Sequence, residues 1–202
     1  RQEIIRRYFR YHRECAQGIE PRETLAIAER LMQQVGVKAT DRPCVPAGRR
    51  AAERAKERGK GNKGVYCGAA LELRDGMIVS GMNTPLLHAE SAAVLNAVKR
   101  RARIPEEIDL LSESIISNIA FLKREILGGK AASLNVEEVL IALSISAASS
   151  PTSAHCVRML KELEGCEMHS THVIGKGDEN GLRKLRMNVT TDLLPTSRGF
   201  YY

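Results

Sequence analysis

The segment from Pro85 to Arg100, PLLHAESAAVLNAVKR, places a histidine and a glutamate two residues apart where a helical pattern begins. The imidazole of His88 can bind a metal ion such as zinc. The carboxylate of Glu90 can carry a proton between a metal-bound water and a substrate. Both roles require the two side chains to point at one place from the start of a helix. His88 and Glu90 are therefore the candidate catalytic residues.

A zinc site of the nucleoside-deaminase type also needs two cysteine thiolates, in the pattern P-C-x-x-C at a second helix start. We interpret residues 108–112, IDLLS, as the strand that precedes this helix. The next residues then put Ser114 and Ser117 at the two cysteine positions. A neutral hydroxyl is a poor zinc ligand compared with a thiolate. The sequence therefore predicts degenerate metal positions at these serines, which would meet His88 and Glu90 at adjacent helix starts, with no bound metal or other cofactor.

Two alternatives stay open for the histidine and cysteine residues. Cys67 or Cys156 could supply a missing thiolate, although neither has the P-C-x-x-C spacing. The H-x-E pair could also serve only as helix-capping and first-turn residues, because the helix dipole favours an acidic group there. His169 and His172 lie three residues apart, which places them on opposite faces of a strand and prevents them from sharing a metal.

Basic residues are concentrated between positions 42 and 63, where eight of them accompany two acidic ones in a chain of net charge +7. The residues of this basic segment that we single out are Arg49, Arg50, Arg54, Arg58, Lys60 and Lys63. Such a segment can neutralise phosphates, so nucleic-acid binding is an alternative function. The segment lacks aromatic residues for stacking on bases, which argues against nucleic acid as a partner.

The order of helical and strand patterns predicts an α/β fold. Two apolar helical stripes predict a helical appendage over residues 1–40, followed by a basic linker with a short solvated helix over residues 41–64. Asp75 and Gly76, between two β-rich runs, predict a hairpin. Helical and strand patterns then alternate to the C-terminus. We predict that residues 65–202 form a three-layer, deaminase-like domain in which helices flank a mixed sheet.

The composition limits the class of protein. No apolar run approaches the roughly 20 residues that a membrane-spanning helix needs. The five cysteines include no C-x-x-C pair, which is typical of reduced thiols rather than a disulfide framework. We expect a cytoplasmic protein without a membrane partner.

Several long blocks resemble a known bacterial family. They are RQEIIRR, AALEL with the following DG turn, AAVLNAVK, NVEEVLIALSISAASSPT and GCEMHSTHVI. Through these blocks the chain resembles the C-terminal part of the uncharacterised family called domain of unknown function 1846. The resemblance implies a longer multidomain protein whose last domain has a deaminase-like fold. It implies no activity, substrate or catalytic residue.

These observations lead to one principal hypothesis and two alternatives. We expect a non-catalytic deaminase-like domain that acts in assembly or binds a small molecule together with upstream domains of the same protein. We also expect a homo-oligomer, because the apolar and small-residue helices offer packing surfaces. The alternatives are a metal-dependent deaminase or hydrolase with atypical ligands, and nucleic-acid binding through the basic segment.

Overall fold

A four-stranded mixed sheet lies at the centre of the computed structural model, which describes residues 1–129 and 131–195. The strands are β1 (Gly68–Glu72), β2 (Ile78–Met82), β3 (Glu167–His172) and β4 (Asn188–Leu194). Their order is β2-β1-β3-β4. β1 runs antiparallel to both β2 and β3, whereas β3 and β4 are parallel. Gly76 has a φ of 79° in the turn between β1 and β2, which confirms the hairpin predicted from the Asp-Gly pair.

Eight α-helices surround this sheet in the described part of the chain. They are α1 (Gln2–Ala16), α2 (Arg22–Val35), α3 (Cys44–Glu57), α4 (Ala89–Ala102), α5 (Glu113–Phe121), α6 (Val136–Ala147), α7 (Pro151–Met159) and α8 (Lys176–Lys184). A turn of π-helix, Leu122–Ile126, extends α5, and a 3₁₀ turn, Leu160–Leu163, extends α7.

The side chains of β1 show how the layers are divided. Ala69 and Leu71 face the largest apolar core, which they share with residues of α4, α6 and α7. Ala70 points to the other face and packs against Cys44 and Ala47 of α3. This alternation is that of a strand buried on both faces. The structure has the predicted α/β arrangement of a mixed sheet flanked by helices, but the layer on the Ala70 face includes α3, which lies outside the predicted domain of residues 65–202.

Two glycines bring the flanking helices into direct contact with the strand backbones. A Cβ on Gly68 of β1 would lie 2.2 Å from the carbonyl oxygen of Gly48 in α3. A Cβ on Gly81 of β2 would lie 2.2 Å from the backbone nitrogen of Ala93 in α4. Any larger residue would therefore push a helix off the sheet. These contacts fix the position of α4, whose first residues carry the H-x-E pair.

The segment 41–64 differs from its interpretation as a linker with a short solvated helix. Its helix α3 has fourteen residues, six of them buried, and it packs on β1 and β3. The alanines and glycine between the arginines lie on one side of the helix and form the buried face. The high charge of the segment led to its interpretation as solvated, but arginine side chains can extend from one side of a helix whose other side is apolar and buried.

The strand expected over residues 108–112 does not form, and these residues lie in turns between α4 and α5. Leu110 and Leu111 are buried in the main core without pairing to a strand. The strand beside β1 is β3 instead, more than fifty residues further along the chain. A short apolar run has no periodicity that separates a strand from a buried loop, which explains the error.

The N-terminal helices lie beside α3: α1 packs directly on β4 of the sheet, and α2 packs on α1. Ile5 and Phe9 of α1 share an apolar cluster with Met32 of α2 and Val45 of α3. The predicted apolar stripe of the first helix is therefore buried within this chain. Among the described residues, none of the helices combines the length and apolar character needed to cross a membrane.

Arg42 connects this helical layer to the sheet. Its side chain is fully buried, and its guanidinium forms a short ion pair with Glu167 of β3. It also donates to the carbonyl oxygens of Met168 at 2.9 Å and Asn188 at 2.8 Å, and to the Thr190 hydroxyl at 3.1 Å. One cation thus joins the start of α3 to both β3 and β4.

We predict that Arg42→Met lowers the free energy of unfolding by about 3 kcal/mol, because it leaves the Glu167 carboxylate and two carbonyls without their buried donor. Urea unfolding followed by circular dichroism measures the loss. Arg50→Met, at an exposed position of the neighbouring helix α3, is the matched control and should change stability by less than about 0.5 kcal/mol. Equal stability of the two variants would contradict the role assigned to Arg42.

Candidate functional site

The candidate site begins where the chain enters α4. His88 is the N-cap residue of this helix, with extended backbone angles. Its backbone N–H donates to the carbonyl of Leu134 at 3.0 Å, and the N–H of Leu134 donates to the carbonyl of Leu86 at 2.8 Å. These bonds hold the segment before α4 against the segment before α6. The N-termini of the two helices consequently lie side by side.

Asp178 of α8 links these two helix starts. Its Oδ1 accepts a hydrogen bond of 2.9 Å from the backbone N–H of Val136, the first residue of α6. Its Oδ2 lies 2.7 Å from Nδ1 of His88. The Asp178 side chain is buried, whereas that of His88 is 34% exposed. A third helix therefore places a carboxylate between the first two.

Two glycines allow α8 to approach closely enough. A Cβ on Gly181 would lie 2.6 Å from Cγ1 of Val136, and one on Gly177 would lie 2.4 Å from the side-chain nitrogen of Asn135. Asn135 itself caps α6 and forms a capping box with Glu138. The pattern G-D-x-x-G around Asp178 is thus explained by the contact between α8 and the start of α6.

Glu90 completes the cluster from the first turn of α4. Its side chain is buried, and the Ser170 hydroxyl of β3 donates a short hydrogen bond to its carboxylate. One ligand-type atom each from His88, Glu90 and Asp178 lies within 4.8 Å of the other two. The two carboxylates and one imidazole converge on a single small volume, with His88 on the accessible side.

The surroundings favour protonation of this cluster. Burial raises the pKa of Glu90, and the negative charge of Asp178 raises it further. For His88, burial acts to lower the pKa, but the hydrogen bond to Asp178 and the charges of both carboxylates outweigh it, so the pKa is raised. Two carboxylates buried side by side repel each other unless positive charge lies nearby. Here the protonated imidazole of His88 and the proton bound by Glu90 supply that charge.

Cys67 lies near the cluster but is unsuited to ligate a metal there. Burial raises the pKa of its thiol to about 12, and the charges of Glu90 and Asp178 act in the same direction. A thiol is a metal ligand in its deprotonated form. The ligand-type atoms that lie within 4.8 Å of one another belong to His88, Glu90 and Asp178 and not to Cys67, so this group gives no support to the alternative in which Cys67 replaces a missing thiolate.

The structure places the predicted serines away from this hydrogen-bond network. Ser114 and Ser117 are exposed on α5, and the Ser114 hydroxyl contacts that of Ser112 at 3.1 Å. No hydrogen bond among residues 1–129 and 131–195 joins either serine to His88 or Glu90. Sequence reasoning missed Asp178, because it lies ninety residues from His88 and only the sheet order brings α8 beside α4.

His169 and His172 are both buried in β3 and lie outside the cluster. Nδ1 of His169 is 3.0 Å from the Thr190 hydroxyl, and its ring contacts Phe9 with centroids 4.9 Å apart. Nδ1 of His172 contacts the hydroxyl of the neighbouring Thr171 at 2.8 Å. Both histidines are core residues with local partners.

Part of the basic segment contacts other parts of the domain. Arg49 forms a two-pronged ion pair with Asp192 of β4, with a closest distance of 2.7 Å. Arg54 donates to the Ser80 hydroxyl at 3.1 Å. Arg50, Arg58 and Lys60 are exposed. Two of the six singled-out residues therefore bind strands of the sheet through their side chains.

Comparison with known proteins identifies relatives along the whole chain. Residues 40–201 match the family described as domain of unknown function DUF1846, C-terminal. The chain is 41% identical over 203 residues to a UPF0371 protein of Clostridium botulinum, 39% identical to one of Clostridium tetani and 37% identical to one of Fusobacterium nucleatum. In each case all of this chain aligns with 40% of the relative.

We predict that Glu90→Gln stabilises the protein at pH 8 when a chelator is present. The pKa of Glu90 is raised in the folded state. The protonated side chain therefore makes its full contribution to stability below the unfolded-state pKa near 4.5, and this contribution is lost as the pH rises through the folded-state pKa. The glutamine keeps the shape without the charge. Urea midpoints measured between pH 4 and pH 8 should fall less for the variant than for the parent.

Glu113→Gln, at an exposed carboxylate on α5, is the control and should follow the pH dependence of the parent. A lower urea midpoint for Glu90→Gln than for the parent at pH 8 would show that the buried carboxylate is stabilised as an anion. That result would contradict the electrostatic account of the cluster.

Proposed function

This chain belongs to the family described as domain of unknown function DUF1846, C-terminal, and from that premise we propose that His88, Glu90 and Asp178 form a divalent-metal site in a deaminase-like, hydrolytic domain. The chain spans about 40% of the length of its curated relatives, so this proposal concerns the domain and extends to the whole protein only as a hypothesis. The observation that carries it is the convergence of three ligand atoms within 4.8 Å of one another.

The chemistry of these three side chains fits a first-row divalent metal. An imidazole nitrogen and two carboxylate oxygens suit Zn²⁺, Mn²⁺ or Fe²⁺ better than Cu⁺, which prefers sulfur. Metal binding requires a neutral histidine and deprotonated carboxylates. A divalent ion could therefore replace the protons of His88 and Glu90 without changing the total charge of the buried cluster. The ion would thereby relieve the repulsion between the two carboxylates.

The order of the elements supports a deaminase-like arrangement of the site. In zinc deaminases the H-x-E helix follows a hairpin, and the paired cysteines open a second helix. Here the hairpin and α4 are followed in the sheet by β3, and α8 comes directly after β3. In this arrangement Asp178 of α8 would provide the ligand that the sequence pattern assigned to the positions of Ser114 and Ser117. Residues 103–166, with α5 to α7, would be an insertion before the third strand.

The residues of the chain have distinct roles in this proposal. Before an ion binds, Asp178 holds His88 through the hydrogen bond to Nδ1 and is itself fixed by the N–H of Val136; a bound ion would take the place of the proton shared by Asp178 and His88. Ser170 fixes Glu90. A divalent metal, when bound, would lower the pKa of a coordinated water so that it can act as a nucleophile near neutral pH. The carboxylates disfavour an anionic substrate, so a small, neutral, polar molecule entering from the His88 side is the substrate class that fits best.

One observation favours a second candidate, the non-catalytic domain expected from the sequence. Asp178 already bonds to Val136 and His88, and Glu90 already bonds to Ser170. A cluster whose polar atoms are satisfied internally can hold α4, α6 and α8 together without any ligand. In that case the domain would serve in assembly, with itself or with upstream domains, or would bind a small molecule without converting it.

Metal titration separates the two candidates. We predict that the chain, after dialysis against a chelator and then against buffer alone, binds one Mn²⁺ or Zn²⁺ ion in isothermal titration calorimetry. Repeating the titration in buffers of different ionisation enthalpy should show the release of about two protons per ion. Asp178→Asn should weaken binding by at least about tenfold, because the amide removes the charge and keeps the shape.

Asp75→Asn, which removes an exposed carboxylate of the hairpin turn, is the matched control and should leave the affinity unchanged. Circular dichroism of each variant verifies that the fold is retained. Absence of binding by the parent chain, or equal affinity of Asp178→Asn and the parent, would exclude the metal site and favour the non-catalytic domain.

A further inference from the structure

A groove of about 550 Å³ runs along β4, the last strand of the described sheet. It includes none of His88, Glu90 and Asp178, so it is separate from the proposed metal site. One wall is α1 and the other is formed by α8 and the residues after it, with β4 between them. The groove therefore goes beyond the function proposed for the cluster.

The floor of the groove is the edge of a strand. The five consecutive residues 187–191 all line it, and their side chains alternate between the two faces of the sheet. Val189 packs against the main core, whereas Thr190 bonds to His169 and Arg42 on the opposite side. Side chains from both faces of the sheet can line the same groove only if the groove runs along the edge of β4.

β4 has β3 as its one partner strand among the described residues. The N–H of Asn188 donates to the carbonyl of Cys166. In a parallel pair alternate residues bond to the neighbouring strand, so Asn188 and Thr190 bond to β3 and Val189 points its N–H and C=O away from it. Asn188 and Val189 are half-buried, and Thr190 and Thr191 are deeper, at 4% exposure. The accessible backbone of this edge is thus at the Val189 end.

The walls of the groove are strongly basic. Two glutamates line the groove, Glu3 and Glu179, together with six arginines. The arginines are Arg6, Arg7, Arg10, Arg13, Arg183 and Arg186. Glu3 bonds to Arg6 and Arg7, and Glu179 lies 3.7 Å from Arg13 across the groove. Three glutamates behind the lining also pair with its arginines: Glu167 with Arg6, Glu14 with Arg10 and Glu164 with Arg186. The excess of arginine favours a ligand that carries several negative charges along an extended path.

We propose that this groove binds an acidic peptide segment in extended conformation, which adds to the sheet as a fifth strand beside β4. Strand addition uses main-chain hydrogen bonds for affinity and side-chain contacts for specificity. Alternating acidic side chains of the peptide would point to α1 on one side and to α8 on the other. Arginine is suited to this role, because its guanidinium can bind a carboxylate through two parallel hydrogen bonds.

The same walls fit nucleic acid less well. Single-stranded nucleic acid is bound largely by aromatic side chains on which bases stack. Phe9 is the aromatic residue of the groove, and it is 3% exposed because it packs against His169. The open backbone of Val189 also matches a peptide strand and has no counterpart in a sugar–phosphate chain.

Fluorescence anisotropy tests the proposal with a labelled valine–glutamate peptide of about eight residues, in which pairs of glutamates alternate with pairs of valines so that glutamates lie on both faces of the strand. The 202-residue chain should bind this peptide, and binding should weaken as the salt concentration rises. A peptide with lysine in place of glutamate should not bind. A valine–glutamate peptide with every second backbone nitrogen methylated should bind at least about tenfold more weakly, because it keeps the charge and loses the strand hydrogen bonds.

Charge reversal locates the binding surface. Arg10→Glu combined with Arg183→Glu changes one exposed arginine on each wall and should weaken binding of the valine–glutamate peptide by at least about tenfold. Arg50→Glu combined with Arg58→Glu makes the same charge change at exposed positions outside the groove and should shift the affinity less than about twofold. Circular dichroism checks that both double variants fold.

Several outcomes would overturn the proposal. Equal affinity for the methylated peptide would show attraction by charge alone, without strand addition. Equal weakening by both pairs of substitutions would place the binding surface elsewhere. A labelled oligothymidylate that displaced the peptide, and that the chain bound more tightly than the peptide, would assign the groove to nucleic acid instead.

Discussion

The contact on which the candidate site depends is the bridge that Asp178 makes between two helix starts. One carboxylate oxygen accepts from the first N–H of α6, and the other holds the imidazole at the N-cap of α4. A carboxylate at a helix N-terminus is favoured by the helix dipole and by the unsatisfied N–H groups there. Because Asp178 serves both helices, its position determines which nitrogen of His88 is directed towards solvent.

This bridge is possible because the helices and the sheet lie unusually close together. Gly81 lets α4 contact β2, Gly68 lets α3 contact β1, and Gly181 lets α8 contact the start of α6. Each glycine removes the Cβ that would hold the two backbones apart. The cluster of His88, Glu90 and Asp178 is thus a result of packing distances that are set on both faces of the sheet.

The buried charges of the domain are balanced in two different ways. On the α3 face, Arg42 and Glu167 neutralise each other, and carbonyl oxygens occupy the remaining donors of Arg42. On the α4 face, two carboxylates face a single imidazole, and burial of Glu90 raises its pKa. The first arrangement is complete within the chain. The second is balanced by bound protons, which the proposed metal ion would replace.

The sequence alone determined the features whose causes are local. The Asp-Gly turn and the helical stripe of α1 depend on residues a few positions apart, and both form as predicted. His88 and Glu90 were also identified from one short motif. The alanine face of α3 was present in the sequence but was obscured by the arginines that flank it.

Tertiary structure decided which distant residues meet. The sheet order places β3 beside β1, and this brings Asp178 to His88 from ninety positions away. The pairing of Arg42 with Glu167 and the groove between α1 and α8 arise in the same way. No local pattern encodes such contacts, because their partners are set by strand pairing and by the closeness that single glycines permit. The sequence therefore supplied His88 and Glu90, and the fold supplied Asp178, the third member of the cluster.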